Sequence, residues 1–300
     1  MKPAILLCIL LFAAWEALGQ GTKPAPFQYL KQPPPGLIPK VFAPEIISKK
    51  YQYEFGSVFS RDGKEFYYAV EVDHKPHIRL VKYENNQWTE PVNLVFSDRY
   101  GYNDPFLSPD EKQLFFISDQ ALDGKGPKKD IDIWYVKRQG NGWSDPINAG
   151  RSINSDKDEY YVSFTEAGTL YFSSNVGTDK ATAKNFDIYA SPFSKGAFQT
   201  ARKLSASINT QHYEADVFIS PDEQYIIYCA ERPEGYGQGD LFISFKDAKG
   251  QWQEAKNMGN VINTKGYGFC PFVSADGKYL FFSRDGDIYW VDAEVIRTLR

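Results

Sequence analysis

Short runs of aromatic and β-branched residues recur along the chain, and each follows a tight polar turn. One copy is FISPDEQYIIYC at 218–229, and related copies begin at residues 58, 106, 163 and 272. The corresponding turn positions are spaced by 48, 57, 55 and 54 residues: Asp62, Asp110, Ala167, Asp222 and Asp276. A repeat of roughly 50 residues is typical of a propeller or another repeat array.

Each copy contains four strand-like segments. The first ends at the polar turn, and the second is the aromatic run. The third begins with an aspartate followed by apolar residues in four copies: Asp132, Asp187, Asp240 and Asp287. The fourth follows a Gly/Asn turn and an aromatic residue, as in PINAGRSINS at 146–155. No long segment between these pieces has helical periodicity, so the pattern predicts an all-β fold.

The aromatic runs also predict how the sheets pack. Runs such as Leu114–Phe116, Tyr225–Tyr228 and Leu280–Phe282 are apolar at consecutive positions. A strand with one face in water should alternate apolar and polar residues, so these strands must be covered on both faces. Four-stranded antiparallel sheets stacked radially provide that cover, which is the propeller architecture.

The count of strands predicts how the ring closes. The last copy lacks a fourth segment, while VFAPEIIS at 41–48, ahead of the first copy, matches that pattern. The sequence therefore predicts a five-bladed β-propeller of four-stranded antiparallel blades at 41–300, with the N-terminal strand completing the last blade. Six blades remain an alternative if one copy has diverged. The proline-rich residues 20–40 are expected to form an extended leader.

The N-terminus and the composition indicate where the protein functions. Lys2, an apolar run at 4–14 and small residues at 17 and 19 predict a signal peptide at 1–19. We therefore expect the signal peptide to be cleaved and the mature chain to be periplasmic or secreted, with no membrane span. We also expect the protein to be a monomer. A net charge of −4 without basic clusters argues against nucleic acid as a partner.

The sequence pattern of the repeats resembles that of a known family. The elements FSPDGK-x-LFF-x-S, DIY, GW-x-x-P and INS-x-x-DE are similar to the TolB-like, WD40-like (PD40) propeller repeats of bacterial envelope proteins, over about residues 41–293. Proteins of that superfamily include protein-binding scaffolds, propellers attached to peptidases and sugar-acid lyases. The resemblance therefore implies the fold and an envelope setting without selecting a chemistry.

The alternation of turns in a meander assigns the loops to two faces. The connections from second to third and from fourth to first strands are long and varied, and we call their side of the molecule the long-loop face. Binding loops on a rigid scaffold are expected there. The candidate binding residues on this face are Tyr102, Asp104, Tyr160, His74, His77, His212, Arg232, Tyr236, Tyr267 and Arg284.

Three glutamates share one register at the start of the innermost strand, namely Glu54, Glu159 and Glu214. They could cap backbone amides, or they could contact a ligand at the mouth of the central channel. The main hypothesis is an envelope binding module that recognises a protein or a glycan. The alternative is a carbohydrate-active enzyme, either a glycoside hydrolase that uses a pair of these carboxylates or a lyase that uses a histidine such as His212 as base.

We expect no cofactor and no metal centre. The alternative is a divalent-cation site in one loop, formed by Asp73, His74 and His77. Outside the leader the chain has two cysteines, Cys229 and Cys270, on neighbouring predicted blades. They could form a disulfide bond or remain two buried free thiols. The Asp-Gly and Asp-Glu turns are explained by hairpin geometry alone.

Overall fold

The structure is a five-bladed β-propeller. The computed structural model describes residues 28–177 and 185–300. Five antiparallel sheets succeed one another, each built on four strands in meander order. The main strands of blade 1 are Glu54–Phe59, Glu65–Val72, Lys75–Glu84 and Val92–Val95. Those of blade 2 are Tyr102–Leu107, Gln113–Ser118, Asp132–Gln139 and Ile147–Asn148. Those of blade 3 are Glu159–Phe164, Leu170–Ser174, Asp187–Ser191 and Arg202–Lys203. Those of the last two are Tyr213–Ile219, Tyr225–Glu231, Asp240–Phe245 and Lys256–Asn257; and Gly268–Val273, Tyr279–Arg284, Asp287–Asp292 and Lys40–Val41.

Short hairpins extend three of the blades at their outer edges. Gln87–Trp88 and Gly142–Trp143 fold back on the third strands of blades 1 and 2, and Phe193–Ser194 pairs with Ala197–Phe198 in blade 3. The predicted all-β architecture is therefore confirmed, with five blades rather than six.

The N-terminal strand closes the ring, as predicted. Lys40 and Val41 pair antiparallel with Trp290 and Tyr289, and the Phe42 amide donates to the Ile288 carbonyl at 2.7 Å. This strand begins one residue earlier than predicted and is much shorter, because the chain turns at Ala43 and Glu45, both with positive φ. Residues 43–48 instead form a turn whose Ile47 is buried.

The double-sided cover inferred from the aromatic runs is present in the structure. Side chains of the second strands, such as Phe115, Phe116, Tyr228 and Phe281, have an exposed fraction of 0%. Neighbouring blades also share backbone hydrogen bonds at the start of the first strand, for example from the Glu159 amide to the Ile131 carbonyl at 2.8 Å. Because both faces of each sheet are buried, a strand here does not need alternating polar residues.

The repeated INS element holds the fourth segment of a blade against its third strand. The side chain of Asn154 accepts a hydrogen bond from the Ile133 amide and donates one to the Ile133 carbonyl, both at 2.9 Å. Asn209 and Asn263 make the same pair of bonds in blades 3 and 4. An asparagine can satisfy a backbone donor and acceptor at once, so it replaces two ladder bonds where the chain leaves the sheet.

The segments at the two ends of the described chain pack on the ring. Tyr29–Lys31 forms a single turn, in which Tyr29 and Leu30 are buried beside blade 5, and the Tyr29 hydroxyl donates to Asp276. Glu294–Arg297 forms a short helix after the last strand. Among the described residues, no helix has the length and apolar character needed to cross a bilayer. The predicted signal peptide at 1–19 lies outside the described residues.

Apolar side chains fill the channel at the turn end of the ring. Phe106, Phe218 and Phe272 come from three blades, and the ring centroids of Phe106 and Phe218 each lie about 6 Å from that of Phe272. Only a small recess of about 90 Å³ remains there. The opposite end, on the long-loop face, contains the candidate site.

Candidate functional site

The three glutamates of the predicted channel rim form what we call the glutamate collar: Glu54, Glu159 and Glu214. All three have an exposed fraction of 0%. The Glu159 carboxylate accepts hydrogen bonds from the Ser155 amide at 2.9 Å and from the hydroxyls of Ser155 and Ser174 at 2.6 and 2.7 Å. Glu214 accepts the amide and hydroxyl of Thr210 at 2.9 and 2.6 Å. The collar therefore caps the chain that arrives from the preceding blade.

Burial dominates the electrostatics of the collar. It raises the pKa of Glu159 to about 7, although three hydrogen bonds favour the ionised form. It also raises the pKa of Glu54 to about 7, where the one close donor is the Lys49 amide at 3.4 Å. The pKa of Glu214 is raised as well, against the attraction of Arg232 at 3.4 Å. None of these carboxylates faces open solvent, so their surroundings suit a structural cap better than a catalytic pair.

Two residues deeper, the innermost strands share a bulge that faces the axis. The five residues at this register all have positive φ, between 42° and 55°: Gly56, Asp104, Tyr161, Asp216 and Cys270. The pairing register of each first strand with its second strand also shifts here. A bulge re-aims the side chain that it carries. This repeated irregularity turns one residue per blade away from the ordinary strand alternation.

Asp104, Asp216 and Cys270 meet as a result, and we call these residues the axial triad. They come from blades 2, 4 and 5, and one ligand atom from each lies within 4.8 Å of the other two. The Cys270 thiol donates to a carboxylate oxygen of Asp104 at 3.3 Å. All three side chains are buried, with exposed fractions of 5%, 6% and 2% respectively.

The two carboxylates of the axial triad are buried close together. Asp104 accepts hydrogen bonds from Cys270 and Asn103, and Asp216 accepts one from the Cys270 amide. Burial raises the pKa of Asp104 to about 7, and burial together with the Asp104 charge raises that of Asp216 well above its usual range. Burial and the two carboxylates also raise the pKa of the Cys270 thiol. Within the described part of the chain, no Lys, Arg or His contributes to the electrostatics of either aspartate.

Aromatic rings surround the channel above the triad, at its opening on the long-loop face. This aromatic mouth consists of Tyr53, Phe55, Tyr160, Tyr213, Tyr267 and Phe269. The centroids of Phe55 and Phe269 are 6.2 Å apart, and those of Tyr267 and Phe269 are 5.5 Å apart. Tyr160 stacks on Phe186 at 4.5 Å. Tyr53 is 43% exposed. The mouth therefore offers accessible ring surface beside a buried acidic centre.

The predicted histidines do not come together. The His74 side chain is fully exposed and 3.4 Å from Glu71, whereas His77 is buried beside Phe96. His212 lies on blade 4, where it lines an open recess of about 510 Å³ with Glu231 and Arg232. Within the described residues, the one cluster of three metal-ligating side chains is the axial triad, which contains no histidine.

The two predicted arginines connect neighbouring blades. Arg232 donates to the Ile208 carbonyl and to the Tyr228 hydroxyl at 3.3 and 3.0 Å, and lies over the Phe242 ring. Arg284 makes the same type of contact one blade later, with the Ile262 carbonyl at 3.0 Å. These hydrogen bonds tie both guanidinium groups to neighbouring parts of the fold.

The predicted tyrosines have different surroundings. Tyr102 is 4% exposed and donates to Gln120 at 2.7 Å, so it is part of the core. Tyr160 and Tyr267 belong to the aromatic mouth. Tyr236 is 49% exposed in the long loop of blade 4. Both cysteines are free thiols and both are buried.

Sequence reasoning identified Asp104 but missed Cys270 and the role of Gly56. The signal that could have found them is the shared register, since each lies two residues after the start of its innermost strand. What the register does not reveal is the bulge, which depends on how the strands pair.

The structural comparisons find propellers. A protein of unknown function from Dyadobacter fermentans has a TM-score of 0.52 at 13% identity, covering 87% of this chain and 84% of that one. TolB from Acinetobacter baumannii has a TM-score of 0.45 at 16% identity, covering 79% of this chain. This chain spans about half of TolB, 53% of its length. A gluconolactonase from Xanthomonas campestris has a TM-score of 0.48 at 11% identity, covering 82% of this chain and 87% of that one.

No protein-family model matches the sequence, and no curated protein matches it either. At these identities the structural similarities establish the propeller fold alone. The chain is a β-propeller whose repeats resemble those of TolB-like proteins.

Proposed function

We propose that this protein is an exported binding module that recognises another envelope protein through its long-loop face. The observation that carries the proposal is the distribution of exposed large apolar side chains. Those on the long-loop face come from several different blades: Tyr51, Tyr53, Phe96, Leu122, Tyr236 and Val261. A contiguous exposed apolar patch is typical of sites that bind other proteins, and the proposal is that these side chains form such a patch.

The chemistry of the face supports a protein partner. Tyrosine supplies a large contact area at a low cost in conformational entropy, and it is enriched at interfaces. The loops that carry these residues are anchored by the blades, so little ordering is needed on binding. The predicted signal peptide supports a periplasmic or secreted location, and the net charge of −4 without basic clusters argues against nucleic acid as a partner.

A glycan is the second candidate ligand, and the aromatic mouth favours it. Sugar rings stack on tyrosine and phenylalanine, and Tyr53 presents its ring beside Phe55 at 5.5 Å. A glycan would bind within the mouth, whereas a protein would cover the whole face. The two ligand classes therefore predict different sensitive residues.

The carbohydrate-active enzyme remains the alternative that the experiment must test. Hydrogen bonds from Ser155 and Thr210 enclose Glu159 and Glu214, which argues against these two carboxylates as a free acid and base pair. His212, which lines an open recess, is the candidate base that this alternative retains.

The test compares matched exposed residues on opposite faces. Leu122→Asp and Tyr236→Ala change the long-loop face, and Phe193→Asp changes a side chain on the turn side that is 48% exposed. We expect crosslinked envelope partners to be lost with the first two variants and retained with the third. Equal capture by all three variants would contradict the proposal.

A glycan array and a chromogenic glycoside panel form the second arm. Binding of a sugar that Tyr53→Ala abolishes and Leu122→Asp retains would replace the protein partner with a glycan. Turnover of a glycoside that is lost in His212→Ala would replace the binding module with an enzyme. Neither result is expected.

A further inference from the structure

The axial triad is a centre that a binding role for the outer loops does not require. Two carboxylates and a thiol from three different blades converge on the axis, with ligand atoms within 4.8 Å of one another. We propose that the axial triad binds one thiophilic divalent cation, of which Zn²⁺ is the representative, independently of the proposed function.

The spacing of the donors suits such an ion. Zn²⁺ binds carboxylate oxygen at about 2.0–2.2 Å and thiolate sulfur at about 2.3 Å, so tetrahedral ligand atoms lie roughly 3.3–3.8 Å apart. The thiol of Cys270 and the carboxylate of Asp104 are already 3.3 Å apart. Small adjustments of the Asp216 side chain complete the set.

The identity of the donors selects the class of metal. Ca²⁺ and Mg²⁺ are hard cations that take oxygen ligands, so a site in which one of the three donors is a thiol suits them poorly. Thiolate favours Zn²⁺ and related soft ions, while carboxylate oxygen is an accepted Zn²⁺ ligand. The Cys270 thiol binds as the thiolate and releases its proton to solvent.

The surroundings of Asp216 provide a hydrogen bond without a countercharge. Its carboxylate is 6% exposed and accepts a hydrogen bond from the Cys270 backbone amide. In the described residues, no side chain donates a hydrogen bond to it and no basic group lies close enough to affect it. A buried carboxylate is ordinarily paired, hydrogen-bonded or bound to a metal. A cation on the axis satisfies Asp216 and Asp104 together.

The two blades that contribute no ligand make room for the centre. A Cβ atom at Gly56 would lie 2.6 Å from a carboxylate oxygen of Asp104, so blade 1 carries no side chain there. Blade 3 carries Tyr161, whose hydroxyl donates to the Pro271 carbonyl at 2.8 Å and is thereby turned to a backbone partner. The absence of a side chain at Gly56 therefore leaves space on the axis for the Asp104 carboxylate.

The experiment uses the full mature chain, freed of metal with a chelator and titrated with ZnCl₂ and then CoCl₂. We expect one ion per chain by native mass spectrometry and a cobalt–thiolate charge-transfer band. Cys270→Ser should abolish the band, and Asp216→Asn should weaken affinity by about 10–100-fold. Cys229→Ser, which removes the other buried thiol, should retain both the band and the affinity.

A measurement on the unmodified protein keeps the test decisive if a variant fails to fold. Zn²⁺ should slow alkylation of Cys270 at least about tenfold more than that of Cys229, read by peptide mass spectrometry. Equal protection of both thiols, or no Zn²⁺ binding below about 1 mM, would overturn the proposal. So would a cobalt band that persists in Cys270→Ser.

Discussion

The glutamate collar and the axial triad occupy the same innermost strands, two residues apart, but their carboxylates have opposite surroundings. Glu159 and Glu214 are enclosed by amides and hydroxyls that come from the segment four residues earlier. Asp216 receives no such donor from a side chain. Burial alone does not therefore distinguish a structural carboxylate from a ligand, whereas the presence of local donors does.

The difference arises from the backbone. The collar residues lie where the chain enters the sheet, so free amides of the incoming turn are within reach of a glutamate side chain. The triad residues lie further into the strand, at the bulge where the pairing register shifts. There Asp216 accepts a hydrogen bond from the Cys270 amide, and Asp104 accepts bonds from Asn103 and the Cys270 thiol.

The largest effect is expected from breaking the collar at its ion pair. Glu214→Ala should lower the free energy of unfolding by about 3–5 kcal/mol, because it leaves Arg232, whose side chain is 8% exposed, without its carboxylate partner. Urea unfolding measures the loss. The exposed Glu254→Ala should stay within about 0.5 kcal/mol of the parent protein. A collar variant as mild as this control would show that the cap does not support the fold.

The next largest effect comes from crowding the axis. Gly56→Ala places a methyl group 2.6 Å from the Asp104 carboxylate at a residue with positive φ, and should cost about 2–4 kcal/mol. Gly277→Ala has a positive φ but no neighbour within 4 Å, and should cost about 1–2 kcal/mol. If thermal unfolding showed equal losses of stability for the two variants, the space beside Gly56 would not matter for packing at the axis.

Removing a triad charge should act in the opposite direction from removing a collar charge. In chelator, Asp216→Asn should raise the free energy of unfolding, since burial and the nearby Asp104 carboxylate disfavour the charged form of Asp216. Glu159→Gln should lower it. With excess Zn²⁺ the gain from Asp216→Asn should reverse. Thermal unfolding with and without Zn²⁺ measures these changes in stability. A loss of stability for Asp216→Asn in chelator would contradict the contrast between the triad and the collar.

The smallest effect concerns pH. The pKa of Glu159 is about 7 in the folded protein and 4.5 ordinarily. The folded state therefore holds this proton longer, so its contribution to stability is greatest below pH 4.5 and declines as the pH rises to about 7. Glu159→Gln should make that decline shallower by at most about 1.4 kcal/mol per pH unit. Denaturant unfolding across this range, with Glu254→Gln as control, measures the slope; an unchanged slope would argue against a protonated collar.

The sequence predicted the fold well because its signals are local and repeated. Consecutive aromatic residues such as Leu114–Phe116 require cover on both faces, and five copies of one turn reveal the blades. The closing strand was also found, although its length was not, since the turn at Ala43 follows from left-handed backbone that no residue type there signals. The candidate site was only partly predictable: the collar register was visible, but whether Glu159 caps an amide or meets a ligand depends on Ser155 and Ser174 in space.

By itself, the sequence determined a ring of doubly covered sheets and which loops share a face, because hydrophobic pattern and turn chemistry act over a few residues. It favoured five blades but left six open. Only the tertiary structure decided that Asp104, Asp216 and Cys270 meet. They are separated by more than 50 residues of chain, and their approach depends on a bulge at one register in each blade and on the closure of the ring.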